Sequence, residues 1–329
     1  MRGRACRAAD RLNGLRLIAD IGGTNARFAI AQGGHYSDLK HVPVSKYASL
    51  HDAIRDYLDQ LPRDERPMEA AIDVAGPVTG DKITLTNLGW SFSISELKQK
   101  LGLRSLRVFN DFAATAMAVP YLPANDCFLV GPSCPDAQGP IGIIGPGTGL
   151  GVGSLVPSGG GWALVPGEGG HVTLPATTEA EDRIIAVLRK RWDHVSAERV
   201  LSGSGLVNLY EAICTIEDVA PQKLSPADVT DHAINKTDAI CVKAFAHFCE
   251  MLGTVAGDLA LTIGATGGVY IAGGILLRFK KAFAASGFRA RFESKGRFRD
   301  WLQTVPTRLI LEESPALLGL ANVPIEVGV

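Results

Sequence analysis

The 329-residue chain lacks an excess of either charge: 33 Lys and Arg stand against 34 Asp and Glu, a formal net charge of −1. A binder of nucleic acid or of an anionic membrane surface needs a concentrated positive field, so neither partner is expected. Cysteine is sparse. The six lie at positions 6, 127, 134, 214, 241 and 249, with no CxxC pair and no histidine cluster beside them. That spacing offers no zinc site or redox dithiol, and the thiols read as the free thiols of a cytoplasmic protein. No GK dipeptide occurs, which removes the P-loop signature and its phosphate-binding lysine. Two long uncharged runs could pass for membrane spans. Residues 137–167 and 259–277 carry no charge, but the first holds four prolines and eleven glycines and the second five glycines in nineteen residues. Neither could keep its backbone hydrogen-bonded as a helix in lipid. Residues 1–14 are basic and without the apolar core of a secretory signal, so they read as a flexible extension.

What the chain has in excess is glycine, 37 residues, about 11% where roughly 7% is usual. The excess is patterned. Residues 15–20 (LRLIAD) have the composition and length of a strand, Ile-Gly-Gly-Thr-Asn follows, and residues 27–31 are strand-like again. The same arrangement returns at 141–145, Pro146-Gly-Thr-Gly and 150–156, about 124 residues later, and so predicts two related α/β domains. Between the two, apolar spacing predicts a helix over 49–61 and a buried strand over 70–75 that ends at Gly76-Pro77. A helix is expected over 93–102, with Ser93 and Glu96 forming a capping box. A strand over 106–110 runs directly into a helix at Asp111. Helices are expected over 205–214 and 237–263, the latter with Ile240, Ala244, Phe248, Leu252, Val255 and Leu259 on one stripe. A strand over 268–272 then turns through Gly273-Gly274 into residues 275–283, and 316–321 is the last recognisable element.

A glycine turn between strands presents backbone N–H groups with no Cβ in the way, a cradle suited to phosphate. A dinucleotide fingerprint would have to open a long helix, whereas Gly145–Gly153 runs on into Pro157-Ser-Gly-Gly-Gly. Two glycine hairpins on repeated domains instead suggest phosphates gripped from both sides of a cleft.

Six segments in this order resemble one family: DIGGTNARFA from Asp20, Asn110-Asp111-Phe112, GTGLG from Gly147, PGEGGH ending at His171, SAERVLSG from Ser196, and AGGI from Ala272. They are similar to the bacterial-type glucokinases of the sugar kinase and actin-like superfamily, over about residues 15–320. The cysteine cluster of the other bacterial sugar-kinase group is absent. The resemblance implies a duplicated, two-domain actin-like ATPase fold of the ribonuclease H type, with a cleft between a smaller N-terminal and a larger C-terminal domain. The smaller would span 15–121 with about 313–329, and the larger 122–312. It implies transfer of the ATP γ-phosphate to the 6-hydroxyl of glucose, with Mg²⁺, in a cytoplasmic homodimer.

Site residues follow from the same resemblance. Asp111, which by position alone could equally cap a helix, becomes the general base, and the helix N-terminus is expected to lower its pKa. Asn110, Asp111, Glu168, His171 and Glu198 are assigned to glucose hydroxyls, with Pro77, Thr86 and Asn87 shaping the pocket wall. Gly22, Gly23, Thr24 and Asn25 would face the phosphates from one domain, and Gly147, Thr148 and Gly149 from the other. Asp20 would reach Mg²⁺ through water, and Gly273, Gly274 and Ile275 would line the adenosine. Arg27 reads either as a phosphate ligand or as an ion-pair partner. Pro146 removes one N–H from the second turn, and Pro324 interrupts the C-terminal helix that the family continues. Placing motifs on two domains predicts closure on sugar, which would keep water from the γ-phosphate. Two other readings stand beside this one: a kinase of another hexose or with another donor, and a non-catalytic sugar sensor.

Overall fold

The computed structural model describes residues 14–85, 89–132 and 138–323. The expected extension apart from Gly14, Thr86 and Asn87 of the pocket wall, and the tail from Pro324 lie outside the described residues. The chain divides into two units, Met1–Leu122 with Glu313–Val329, and Pro123–Glu312.

In the first unit the aliphatic run after Leu15 forms β1 (Arg16–Ile21), and the glycine turn returns it as β2 (Asn25–Gln32). β3 (His35–Pro43) and β4 (Glu69–Val74) follow, β5 (Lys82–Leu85) and β6 (Trp90–Ser93) make a separate ribbon, and β7 (Ser105–Asn110) completes the main sheet. Its order is β3-β2-β1-β4-β7. β2 is antiparallel to both neighbours, whereas β1, β4 and β7 are parallel. Side chains alternate across a strand. Leu17, Ala19 and Ile21 therefore pack with α1 (Leu50–Asp59) and α2 (Ile94–Lys100). Ile18 and Ala71 point the other way, against α3 (Asp111–Ala118) and the C-terminal helix Pro315–Asn322.

The C-terminal helix is held from two directions. Arg16 Nη1 donates to the carbonyls of Leu320 (2.9 Å) and Val323 (2.8 Å), closing its last turn. At Gly319 it approaches α3 so closely that an added Cβ would lie 1.9 Å from the Ala114 carbonyl oxygen. The expected capping box of α2 forms only by half. Ser93 Oγ accepts from Glu96 N (3.1 Å), but the Glu96 carboxylate turns to Lys100 (3.4 Å). Asp81 serves the helix start instead, accepting from Ser95 N at 2.9 Å.

The second unit contains β8 (Cys127–Leu129), β9 (Ile141–Pro146), β10 (Leu150–Ser158), β11 (Gly161–Pro166), β12 (Gly268–Ile271) and β13 (Thr307–Ile310). The sheet order is β11-β10-β9-β12-β13-β8. β10 is antiparallel to β9 and β11, and β12 is parallel to β9 and β13. Its first five strands thus repeat the order and directions of the first sheet, and β8 is added antiparallel at the edge.

Helices α4 (Glu179–Leu188), α5 (Gly203–Ile216), α6 (Pro226–Asn235) and α7 (Ala239–Ile263) build the core of this unit. By length and composition α7 could cross a membrane. Here Ala244, Phe248 and Leu252 are fully buried, so its apolar stripe is the core of the unit. Asp238 Oδ1 caps it by accepting from Ile240 N and Cys241 N, both at 2.8 Å. The segment after the Gly273-Gly274 turn forms two short helices, α8 (Gly274–Leu277) and α9 (Lys280–Ala284). Phe279 leaves helical geometry between them (φ −120°, ψ 28°) and sets its ring edge-on to Phe245.

Replacing Gly319 by Ala forces the C-terminal helix away from α3. The expected loss is about 1–3 kcal/mol, the usual cost of overpacking, and the urea unfolding midpoint measures it.

Candidate active site

In the first unit, the site residues lie where parallel strands end. Asp20 shares its sheet face with Ile18, and register pairs it with Asp73 of β4, which in turn pairs with Phe109 of β7. Asp111 follows two residues after Phe109, as the first residue of α3. The N-cap is Asn110, not Asp111. Asn110 Oδ1 accepts from Phe112 N (2.9 Å) and Ala113 N (3.2 Å), and its Nδ2 donates to the Gly76 carbonyl (3.0 Å). Asn110 therefore satisfies the helix start and ties it to the Gly76-Pro77 corner, where Pro77 is exposed. Capping is thereby taken over by the neighbour, and Asp111 keeps one carboxylate oxygen outside its bond with Phe112 N (2.7 Å).

The expectation that the helix N-terminus lowers the Asp111 pKa is corrected. Burial of the carboxyl pushes its pKa above the usual carboxylate value, outweighing the Phe112 N–H bond, and the nearby Asp20 charge adds to the rise. Asp20 itself is ion-paired: Arg27 Nη1 lies 3.0 Å from Asp20 Oδ2, across the β1–β2 register. The ion pair, one of the two readings of Arg27, is formed.

One acidic residue of this group was not anticipated. Asp73 is fully buried, and no described residue donates a hydrogen bond to either of its carboxylate oxygens. Burial, then the charges of Asp20 and Asp111, push its pKa well above the usual range. Its signal was present as the lone charge inside the apolar strand AAIDV. Asp20 keeps Oδ1 outside its ion pair and Asp111 keeps one carboxylate oxygen outside its bond with Phe112 N, oxygen donors that suit a hard cation. Such a set fits Mg²⁺, which takes one or two carboxylates and keeps much of its water.

The glycine turn between β1 and β2 is closed by Gly22 N donating to the Asn25 carbonyl (3.0 Å). Gly23 and Thr24 are exposed, as is Asn25, and the amides of Gly23 and Thr24 donate to no described residue. The turn between β9 and β10 has the same character. Gly147 N donates to the Gly149 carbonyl (2.8 Å), leaving the amides of Thr148 and Gly149 without a described acceptor. Adjacent free amides of this kind form an anion cradle. Pro146 is the last residue of β9, paired with Leu150, so its missing N–H precedes the turn proper.

The other motifs of the second unit gather at the same turn. A Cβ on Gly170 would lie 2.0 Å from the Leu150 carbonyl oxygen, so the PGEGGH loop can rest on β10 only because this residue is glycine. That loop carries Glu168 and His171, both exposed. Gly273 (φ 107°) comes equally close to Pro146, with an added Cβ 2.2 Å from its carbonyl oxygen, which sets Gly274 and Ile275 beside the turn. Glu198 Oε2 accepts from Leu150 N at 2.9 Å. Within this unit the structure brings together Gly147, Thr148, Gly149, Glu168, His171, Glu198 and Gly273. Within the first it brings together Asp20, Asn110 and Asp111, with Gly22–Asn25 following directly on the end of β1.

Comparison with known proteins gives one consistent family. The sequence model described as Glucokinase matches residues 17–325. The glucokinase of Nitrobacter hamburgensis is 66% identical over 315 residues, spanning 96% of this chain and 98% of the relative. That of Pectobacterium atrosepticum is 47% identical, over 92% of this chain and 94% of its own length. The crystal structure of a glucokinase from an Antarctic psychrotroph superposes with a TM-score of 0.87 at 38% identity, covering 94% of this chain and 98% of that one.

The buried Asp73 has a stability consequence. A carboxyl whose folded pKa is raised binds its proton more tightly when folded. Its contribution is therefore full below the unfolded value of 3.8 and is lost as pH rises through the folded value. Asp73→Asn removes that loss. Without magnesium or nucleotide it should raise the melting temperature at pH 8 by on the order of 2 °C or more, with the gain vanishing toward pH 3.8. A gain independent of pH would contradict the assignment.

Proposed function

The chain belongs to the glucokinase family and is an ATP-dependent hexose kinase, and from that premise we propose that Asp111 is its general base, acting on the 6-hydroxyl of glucose. The observation that carries this reading is the division of labour at the start of α3. Asn110 caps the helix, so Asp111 is left a half-exposed carboxylate whose pKa is raised by burial. A raised pKa makes the carboxylate a stronger base toward an alcohol than an ordinary exposed Asp. It takes the hydroxyl proton as the sugar oxygen bonds to the γ-phosphorus and the bond from that phosphorus to the β–γ bridging oxygen breaks, releasing ADP.

We assign the sugar hydroxyls to Asn110, Asp111, Glu168, His171 and Glu198, with Pro77 at the wall. Carboxylates, an amide and an imidazole together match hydroxyls that both donate and accept. The phosphates fall to the amide turns Gly22, Gly23, Thr24, Asn25 and Gly147, Thr148, Gly149, whose free N–H groups support that role. Gly273, Gly274 and Ile275 are assigned to the adenosine. Asp20, oriented by Arg27, would hold Mg²⁺ through water. When bound, that ion supplies charge neutralisation for the phosphates, in a site where no lysine stands in either glycine turn. The repeated strand order of the two sheets supports assigning the units to the duplicated actin-like ATPase fold. A cytoplasmic homodimer completes the proposal.

Asp111→Asn keeps size and polarity but removes the base. Expected is a fall in kcat of about 10²–10⁴-fold, with glucose affinity changing far less. A coupled ADP-release assay beside calorimetric glucose titration measures both. Equal losses in turnover and affinity would make Asp111 a binding residue only.

A further inference from the structure

In the second unit, residues 196–203 hold the 147–150 turn at both ends. Gly203 N, at the start of α5, donates to the Gly147 carbonyl (2.8 Å), and Glu198 Oε2 accepts from Leu150 N (2.9 Å). The side chain sits directly under the turn: a Cβ on Gly149 would lie 2.5 Å from Glu198 Oε2. The backbone of Glu198 is itself fixed. Ser202, fully buried, donates its hydroxyl to the Glu198 carbonyl (2.8 Å) and accepts from Gly205 N (3.0 Å) as the cap of α5. On the other side Ala197 N donates to the Val172 carbonyl at 2.9 Å, tying the segment to the loop that carries His171. Glu198 is half-buried, and no described residue donates to its Oε1.

We propose that Glu198 couples the two substrates: with Oε2 on Leu150 N and Oε1 receiving a sugar hydroxyl, it lets sugar occupancy hold the Thr148 and Gly149 amides ready for the nucleotide's phosphates. The inference rests on reading Glu198 as a sugar ligand. Its physical content is ordering. The turn is glycine-rich and Thr148 is exposed, so its amides lose conformational freedom when they close on phosphate. A carboxylate fixed by sugar at one oxygen holds the turn through the other, and the second ligand then meets a turn already ordered. Linkage makes the effect reciprocal, so nucleotide must tighten sugar by the same factor.

Calorimetric titration of the full chain with a non-hydrolysable ATP analogue and Mg²⁺, with and without saturating glucose, tests this. In the unaltered protein glucose should tighten the analogue by about fivefold or more. Glu198→Ala should weaken glucose and bring the factor to near one, at glucose concentrations set from its own titration. Gly149→Ala is the second variant. Its methyl group pushes Oε2 off Leu150 N while the carboxylate remains, so the factor should fall to near one with most glucose affinity kept. Circular dichroism checks that both variants are folded. Absence of the factor in the unaltered protein, or its persistence in both folded variants, overturns the proposal. If Glu198→Ala weakens glucose and the factor persists, coupling alone fails. Unchanged glucose affinity in Glu198→Ala overturns the sugar-ligand reading of Glu198 and the coupling with it.

Discussion

Two aspartates paired in register on adjacent parallel strands set the chemistry of the first unit. Asp20 and Asp73 occupy matching positions of β1 and β4 on one face of the sheet, and neighbouring strands are only about 4.8 Å apart. Two carboxylates cannot both be ionised cheaply at that separation once water is excluded. Asp20 has Arg27 opposite it, and Asp73 has neither a cation nor a hydrogen-bond donor. Burial without a paired cation therefore favours the protonated form of Asp73 and raises its pKa. Asp111 feels the same environment from the next strand end, which is why burial and the Asp20 charge prevail over its helix N-terminus.

The second unit solves a different problem with the same strand arrangement. Its site has backbone amides in place of buried carboxyls, and these are useful only if neighbouring segments approach without side chains between them. Gly170 on the Leu150 carbonyl and Gly273 on the Pro146 carbonyl mark two such approaches, each closer than any Cβ would tolerate. The glycine excess of the sequence thus has a definite use: eleven of the 37 fall between Gly145 and Gly170. They form β9–β11 and the loop resting on them. A turn surface of backbone amides without a basic patch also fits a net charge of −1.

Much of the fold was legible because local signals and tertiary packing agree. Strands β1, β2, β4, β7, β9, β10 and β12 follow apolar runs bounded by glycine or proline, and the α7 stripe from Ile240 to Val255 is buried as its spacing required. Edge elements were not legible. β3 (HYSDLKHVP) is mostly exposed and polar, so no alternation marks it, and its strand state comes from pairing with β2. β13 spans four residues and is defined by β12 and β8 beside it. Helix α6 did carry a sign, since Ser225 and Asp228 form a capping box with Pro226 at the first turn. Phe279 separates α8 from α9, and its ring packs on Phe245, a contact far away in sequence.

The sequence by itself determined the family, the two glycine hairpins, the repeat, and the identities of the polar residues that flank them, because each of these resides in short contiguous segments. Tertiary structure decided how those residues divide their tasks. Only register brings Asp73 beside Asp20, only the Gly76 corner shows that Asn110 rather than Asp111 caps the helix, and only the packing of residues 196–203 on the β9–β10 turn gives Glu198 its bond to Leu150. The physical reason is common to all three. A pKa or a hydrogen-bond partner is set by what lies within a few ångströms, and the groups that set these are 34 to 53 positions apart in the chain.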